Sequence, residues 1–183
     1  MIWFTSDTHF NHNKEFIYKS RGFNNCDEMN EYIVRRWNEK IQPDDEIYHL
    51  GDIMLGPTNG IHYLERLSGH IHIILGNHDT NTRIEMYQNC WNVEDVQWAT
   101  YRKINGYHFY MSHFPSITAN FEKESLKRCT INLYGHTHQK TNFYYEMPFM
   151  YHVGVDSHNC TPVSVEEIIH DMEQKVKECK ELL

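Results

Sequence analysis

An α/β fold built on two packed β-sheets is what this sequence predicts, and three observations predict it. Short apolar runs of strand length end repeatedly in a polar turn bearing His or Asp. Amphipathic helical stretches separate the early runs, and hairpin signals gather later. Polar residues collected at strand ends also suit α/β proteins, which build their sites outside the carboxyl ends of strands.

Taken in order, Ile2 to Thr5 is the first apolar run and leads into Ser6-Asp7-Thr8-His9. A helix follows over Asp27 to Ile41, because Met29, Ile33 and Trp37 recur on one face and Asn25 or Asp27 can cap it. Glu46 to Leu50 runs into Gly51-Asp52, and Asn59 to Leu67 reads as a shorter helix stopped by Ser68-Gly69. Ile71 to Leu75 leads into Gly76-Asn77-His78-Asp79. Asn105-Gly106, between two aromatic-rich runs, is a hairpin turn of the primed type. His108 to Met111 then leads into Ser112-His113, and Thr130 to Tyr134 into Gly135-His136-Thr137-His138. The aromatic stretch from Phe143 to Tyr151 reads as a further hairpin at the core or its rim. Ser164-Val165-Glu166-Glu167 is a capping box that opens a C-terminal helix carrying Ile168, Met172 and Val176 on one face.

Composition bounds the rest. The chain of 183 residues is 40% hydrophobic and 23% charged, which argues against disorder and reads as one domain over residues 1–183. A formal net charge of −8 disfavours a basic track for extended nucleic acid. It does not exclude a phosphorylated ligand, since bound cations reverse the local field. Five cysteines with no CxxC pair suggest reduced thiols and a cytoplasmic protein. No 18-residue apolar run exists, so no membrane span is expected.

Fourteen histidines are the unusual count, and their spacing matters more than their number. The polar turns supply Asp7, His9, Asp52, Asn77, His78, His113, His136 and His138. Imidazole, carboxylate and amide oxygen together suit borderline divalent metals such as Mn, Fe, Co, Ni or Zn. In Asp7-x-His9 and His136-x-His138 an extended backbone would put both side chains on one side, where each pair could clamp a metal. His70-Ile71-His72 has the same spacing but is read as preceding a strand, at the wrong end for the site. His49, His62, His108, His152, His158 and His170 are read as surface or core histidines.

These turns, in this order, resemble the motif blocks of the calcineurin-like metallophosphoesterases: D-x-H, G-D, G-N-H-[DE], H and G-H-x-H. All five are intact, and the resemblance runs from residue 2 to about residue 165. It looks closer to a small bacterial and phage branch with single-domain members. The supporting segments are Asp7-Thr8-His9-Phe10-Asn11-His12-Asn13, Arg21-Gly22-Phe23, Glu28-Met29-Asn30, Val153-Gly154-Val155-Asp156 and Thr161-Pro162-Val163. Asn11 replaces the usual glycine. Gly51-Asp52-Ile53-Met54 lacks the Asp-Arg that protein phosphatases carry there, which speaks against a phosphoprotein substrate.

The resemblance implies a fold of two mixed sheets flanked by helices, a four-layer α/β/β/α sandwich. It implies hydrolysis of a phosphodiester or phosphomonoester of a small compound, such as a nucleotide, by a hydroxide bridging two divalent transition-metal ions, Mn²⁺ foremost. Asp7, His9, Asp52 and His138 would hold one ion, and Asp52, Asn77, His113 and His136 the other. His78 would contact the phosphoryl oxygen or protonate the leaving group, with Asp79 orienting its ring. Apart from the resemblance, His12, Asn13 and Arg21 read either as lining the substrate cleft, with Arg21 on the phosphate, or as pinning the loop, and Arg83 as reaching the phosphate or, better, forming a salt bridge. Two rivals are weighed. A non-catalytic scaffold of the same fold would show a broken donor set, and this one is complete. A nuclease would want basic flanks or an added capping domain, and an acidic chain of this length offers neither.

Overall fold

The computed structural model describes residues 1–56, 58–119 and 125–181. In chain order its main elements are β1 (Ile2–Thr5), α1 (Glu15–Tyr18), α2 (Cys26–Lys40), β2 (Glu46–His49), α3 (Ile61–Leu64), β3 (His70–Ile74), α4 (Asn81–Gln88) and β4 (Val93–Gln97). There follow β5 (Ala99–Ile104), β6 (Tyr107–Ser112), β7 (Thr130–Tyr134), β8 (Met150–His152), β9 (Val163–Ser164) and α5 (Val165–Glu181). One sheet has the order β4-β3-β2-β1-β9, parallel except for β9, which runs antiparallel to β1. The other has the order β5-β6-β7-β8, with the β5–β6 hairpin antiparallel and the remaining pairs parallel. Two mixed sheets flanked by helices are the predicted architecture.

Alternation along the strands makes both cores. In β1, Trp3 joins a cluster with Ile47, Ile71, Ile73 and the α2 residues Met29, Ile33 and Trp37, whereas Phe4 points the other way. Phe4 meets Phe109 of the second sheet, ring centres 6.2 Å apart, in a cluster that also takes Val165, Ile168 and Met172 from α5. The Phe4–Phe109 contact is one of those that pack the first sheet on the second. The indole N–H of fully buried Trp37 donates to Ser68 O at 2.9 Å, so the largest core side chain leaves no polar atom stranded.

Local rules explain most boundaries. Asn25 caps α2, its side chain accepting from Glu28 N–H at 2.9 Å. Asn105 and Gly106 both take positive φ, 51° and 83°, as a primed turn requires. Asn11 adopts φ 59°, a conformation asparagine tolerates, and so stands in where glycine was expected.

Three expectations change. The helix expected over Asn59 to Leu67 shrinks to a short 3₁₀ turn and α3. Gly60 gives it no side-chain cap, and i→i+3 bonds from Arg66 and Leu67 tighten its end. The Phe143 to Tyr151 hairpin is reduced to one bridge between those two residues, because a 3₁₀ turn at Tyr144–Glu146 with Tyr145 at φ 43° interrupts it. His70 and His72 lie within β3 rather than before it, still at its N-terminal half, where they meet Glu94, Asp95 and Glu46. Among the described residues no helix is long and apolar enough to cross a membrane.

The capping box forms as predicted. Glu167 Oε2 accepts from Ser164 N–H and Oγ, both at 2.9 Å, and Glu167 N–H donates to Ser164 Oγ at 3.2 Å. Burial would raise the Glu167 carboxyl, but the Ser164 bonds and the Lys40 charge outweigh it and hold it below its ordinary range. Its stabilising effect is therefore complete above the unfolded value of about 4.3 and fades as pH falls through the lower native one. Ser164→Ala should cost about 1 kcal/mol in urea unfolding at neutral pH. Glu167→Ala should destabilise at pH 7 and become neutral near pH 2–3, and an unchanged penalty there would refute the linkage.

Candidate metal centre

The loops that follow β1, β2, β3, β6 and β7 meet at one edge of the sandwich, and hydrogen bonds stitch them together. Asp7 N–H donates to Gly51 O at 3.0 Å, His9 N–H to Asp52 O at 3.1 Å, and Gly135 N–H to His113 O at 3.0 Å. The side chains converge by a route other than the extended one expected. Asp7, His9, Asp52, His136 and His138 all sit at positive φ, between 49° and 67°. Left-handed backbone at non-glycine residues costs energy and persists only where the surroundings over-determine it. Glycines make the close approach possible. A Cβ at Gly76 would overlap Asp52 Oδ1, and one at Gly135 would overlap Ser6 Oγ and Asp7 Oδ2.

Asp7 lies at the centre and is fully buried. Its Oδ2 accepts from the Ser6 hydroxyl at 2.5 Å and from His136 N–H at 2.9 Å. Its Oδ1 is buried with no hydrogen-bond partner. Facing that bare oxygen are His9 Nε2 and His138 Nε2, each 3.8 Å away and 3.1 Å from one another. Asp52 stands alongside. Its Oδ1 accepts from His78 N–H at 2.9 Å, while Oδ2 lies 3.8 Å from His9 Nε2 and 3.5 Å from His113 Nε2. Beyond it, Asn77 Oδ1 is 3.0 Å from His113 Nε2 and 2.9 Å from His136 Nδ1.

Seven sequence-predicted donors are thus brought together. Asp7, His9 and His138 form one group able to hold a metal ion, and Asp7, Asp52 and His113 another. Burial raises the Asp7 carboxyl, with the nearby imidazoles opposing, and drives His9 well below its usual value. Imidazole nitrogens turned toward an unpartnered buried carboxylate oxygen form a donor set that a divalent cation would complete. The residues present fit such an ion.

Hydrogen bonds behind the cage fix the ring orientations. His113 Nδ1 faces Leu50 O at 2.7 Å, and His138 Nδ1 faces Asp156 Oδ2 at 2.8 Å, so the Nε2 atoms turn inward. Asp156 was not singled out for a role. The signal was present in Val153-Gly154-Val155-Asp156, but its partners lie far away in the chain. Arg21 binds the Asp156 carboxylate in fork fashion, Nε to Oδ1 at 3.1 Å and Nη2 to Oδ2 at 2.8 Å, and also donates to Asp7 O and Thr8 O. The Arg21 side chain is 1% exposed. Of the two readings open for it, Arg21 takes the loop-pinning one, because its donors are spent inside the protein on Asp156 and two carbonyls. Burial opposes ionisation of Asp156, but His138 and Arg21 outweigh it and hold the carboxyl well below its ordinary range.

Asp79 also stands apart from its expected place. Its Oδ2 accepts from Gly76 N–H at 2.7 Å and Asp52 N–H at 3.0 Å, and its Oδ1 from Tyr87 OH at 2.8 Å. With both oxygens so occupied, it braces the loops carrying Asp52 and Asn77 and is not seen orienting the His78 ring. His78 itself is 44% exposed, with Nε2 3.9 Å from Asp52 Oδ2. It helps line a cleft of about 490 Å³ together with His9, His12 and His138. His12 Nδ1 is 3.2 Å from His9 Nδ1, and burial followed by the His78 charge lowers it to about 4. Asn13 is exposed beside it. Arg83 is half-buried, its guanidinium donating to the carbonyl of His78. His49 and His152 are core histidines, each with one ring nitrogen lacking a partner.

Residues 1–171 match the model of the calcineurin-like phosphoesterase superfamily domain. An uncharacterized protein of Methanocaldococcus jannaschii is 32% identical over 184 residues, covering 94% of this chain and 92% of its own. The gene 66 protein of Mycobacterium phage D29 is 28% identical over 204 residues, covering 94% and 98%. A protein of unknown function from Aquifex aeolicus shares the fold, with a TM-score of 0.70 at 20% identity over 93% of this chain and 98% of that one.

Removing the negative charge behind His138 should loosen its ring. Asp156→Asn is expected to weaken Mn²⁺ binding about 10- to 100-fold in calorimetric titration. Wild-type affinity in a folded variant would show that Asp156 does not position the ring.

Proposed function

The chain belongs to the calcineurin-like phosphoesterase superfamily, and on that premise we propose that it hydrolyses a phosphodiester or phosphomonoester of a small, nucleotide-sized compound, using two divalent cations. The family makes it a phosphoric ester hydrolase and implies divalent metal ions. The observation that carries the finer reading is the bare, buried Asp7 Oδ1 facing two imidazole nitrogens. Asp7, His9, Asp52 and His138 would hold one cation, and Asp52, Asn77, His113 and His136 the other. The nearness of Asp52 Oδ2 to both His9 and His113 supports its being shared.

Bound there, divalent cations lower the pKa of water toward ~7 and offset charge on phosphoryl oxygens. The protein's own groups then do the positioning. His78, half-exposed over Asp52, is the candidate to hydrogen-bond a phosphoryl oxygen or return a proton to the leaving oxygen. Asp79 braces the two loops that present Asp52 and Asn77. His12 lines the cleft, and its neighbour Asn13 and Arg83, which is bonded to the His78 carbonyl, are candidates to contact the rest of the substrate. Arg21 and Asp156 keep His138 aimed inward. Mixed nitrogen and oxygen donors accept Mn²⁺, Fe, Co, Ni or Zn, and Mn²⁺ is our preferred ion. One catalytic domain acting in the cytoplasm completes the proposal.

Purified protein should carry about two divalent transition-metal ions per chain by elemental analysis and hydrolyse a nitrophenyl diester or monoester. Chelation should abolish turnover and lower the melting temperature, and Mn²⁺ should restore both. Asp52→Asn should cut turnover by orders of magnitude while circular dichroism stays native. A protein that remains metal-free and inert when offered Mn²⁺, Co²⁺, Ni²⁺ and Zn²⁺ would end this reading.

A further inference from the structure

One wall of the cleft is built of carbon. Phe16 on α1 is 69% exposed and packs edge-on against the His12 ring beside the cage, centroids 5.6 Å apart and nearly perpendicular. Ile17 and Leu55 line the same cleft, and Lys140 stands at its edge, 56% exposed, with Nζ 3.3 Å from both Asp156 Oδ1 and Ser20 O. His9, His78 and His138 close the side toward the cage. Next to a polar, charge-handling site, an aromatic ring left largely in water is a surface waiting for a partner of its own kind.

The geometry points to a subsite for a flat, unsaturated ring: the phosphoester taken by this site carries an aryl or nucleobase-like substituent that stacks on Phe16. This rests on the phosphoesterase reading and narrows it to a substrate class. With the phosphate at the imidazoles, the substituent extends along the apolar side chains of Phe16, Ile17 and Leu55, which themselves offer no donor, while polar groups of the cleft stand only toward the cage and the rim. The ring faces of aromatic bases suit such a surface, because stacking needs no particular hydrogen-bond pattern. A volume of about 490 Å³ lies within the range of small-ligand pockets, so one nucleotide-sized molecule fills it. Lys140 adds a positive charge at the edge. Asp156 is shared between that ammonium and Arg21, so two cations face one carboxylate and an anionic or hydroxyl group near the rim gains a partner.

The test is calorimetric titration of the Mn²⁺-supplemented protein with phenyl phosphate, AMP, glycerol phosphate and inorganic phosphate. Phenyl phosphate and AMP should bind about tenfold or more tightly than the other two. Phe16→Ala should erase that gap while leaving phosphate affinity unchanged, and Phe16→Tyr should keep it. Because Phe16 is mostly in solvent, neither variant threatens the fold. Equal affinities in the wild type, or a gap that survives Phe16→Ala, would overturn the subsite. Loss of hydrolysis on every ester with the binding gap intact would instead sink the catalytic reading and spare this one.

Discussion

A carboxylate with one oxygen braced and the other bare, wholly out of water, is the constraint on which the rest of the molecule turns. Asp7 is held through Oδ2 by Ser6 and by the backbone of His136, which leaves Oδ1 aimed at two imidazoles. An anion in that position is costly unless a positive charge meets it. The surroundings are arranged around that cost. Five left-handed residues turn their side chains inward, and inter-loop hydrogen bonds hold them against the strain. A buried guanidinium, Arg21, supports the assembly from behind by grasping both the Asp7 carbonyl and the Asp156 carboxylate.

The two sheets contribute unequal halves of the cage. Loops after β1, β2 and β3 bring Asp7, His9, Asp52 and Asn77, while loops after β6 and β7 bring His113, His136 and His138. The site is therefore a seam, held across by core packing of the Phe4–Phe109 kind below it and by the His136 N–H bond to Asp7 Oδ2 within it. Cores transmit small volume changes because they are close-packed. Geometry at the seam inherits the rigidity of the interior below it.

Much of this was legible in the residues. The recurring strand-then-polar-turn pattern gathered the polar residues from which the family resemblance picked seven donors, and local capping chemistry placed α2 and α5. What remained hidden was of three kinds. Backbone handedness leaves no periodic trace, so Asp7-Thr8-His9 and His136-Thr137-His138 read as extended pairs although both are built from left-handed residues. Long-range pairing leaves no spacing either. Arg21 and Asp156 are 135 positions apart, and an arginine near a cleft reads as a ligand contact until its carboxylate is found. Asp79 shows a third limit, since adjacency to His78 in sequence says nothing of direction, and the turn aims its oxygens at Gly76, Asp52 and Tyr87.

The two glycines pressed against carboxylates have a consequence for genomic surveys. A homologue can lose a histidine and still keep the shape of the cage. One carrying alanine at the position of Gly76 or Gly135 has no room for the aspartate where it stands. When degenerate relatives are sorted from working ones, these achiral, chemically silent positions are the stricter markers, because they report whether the space for the reaction still exists.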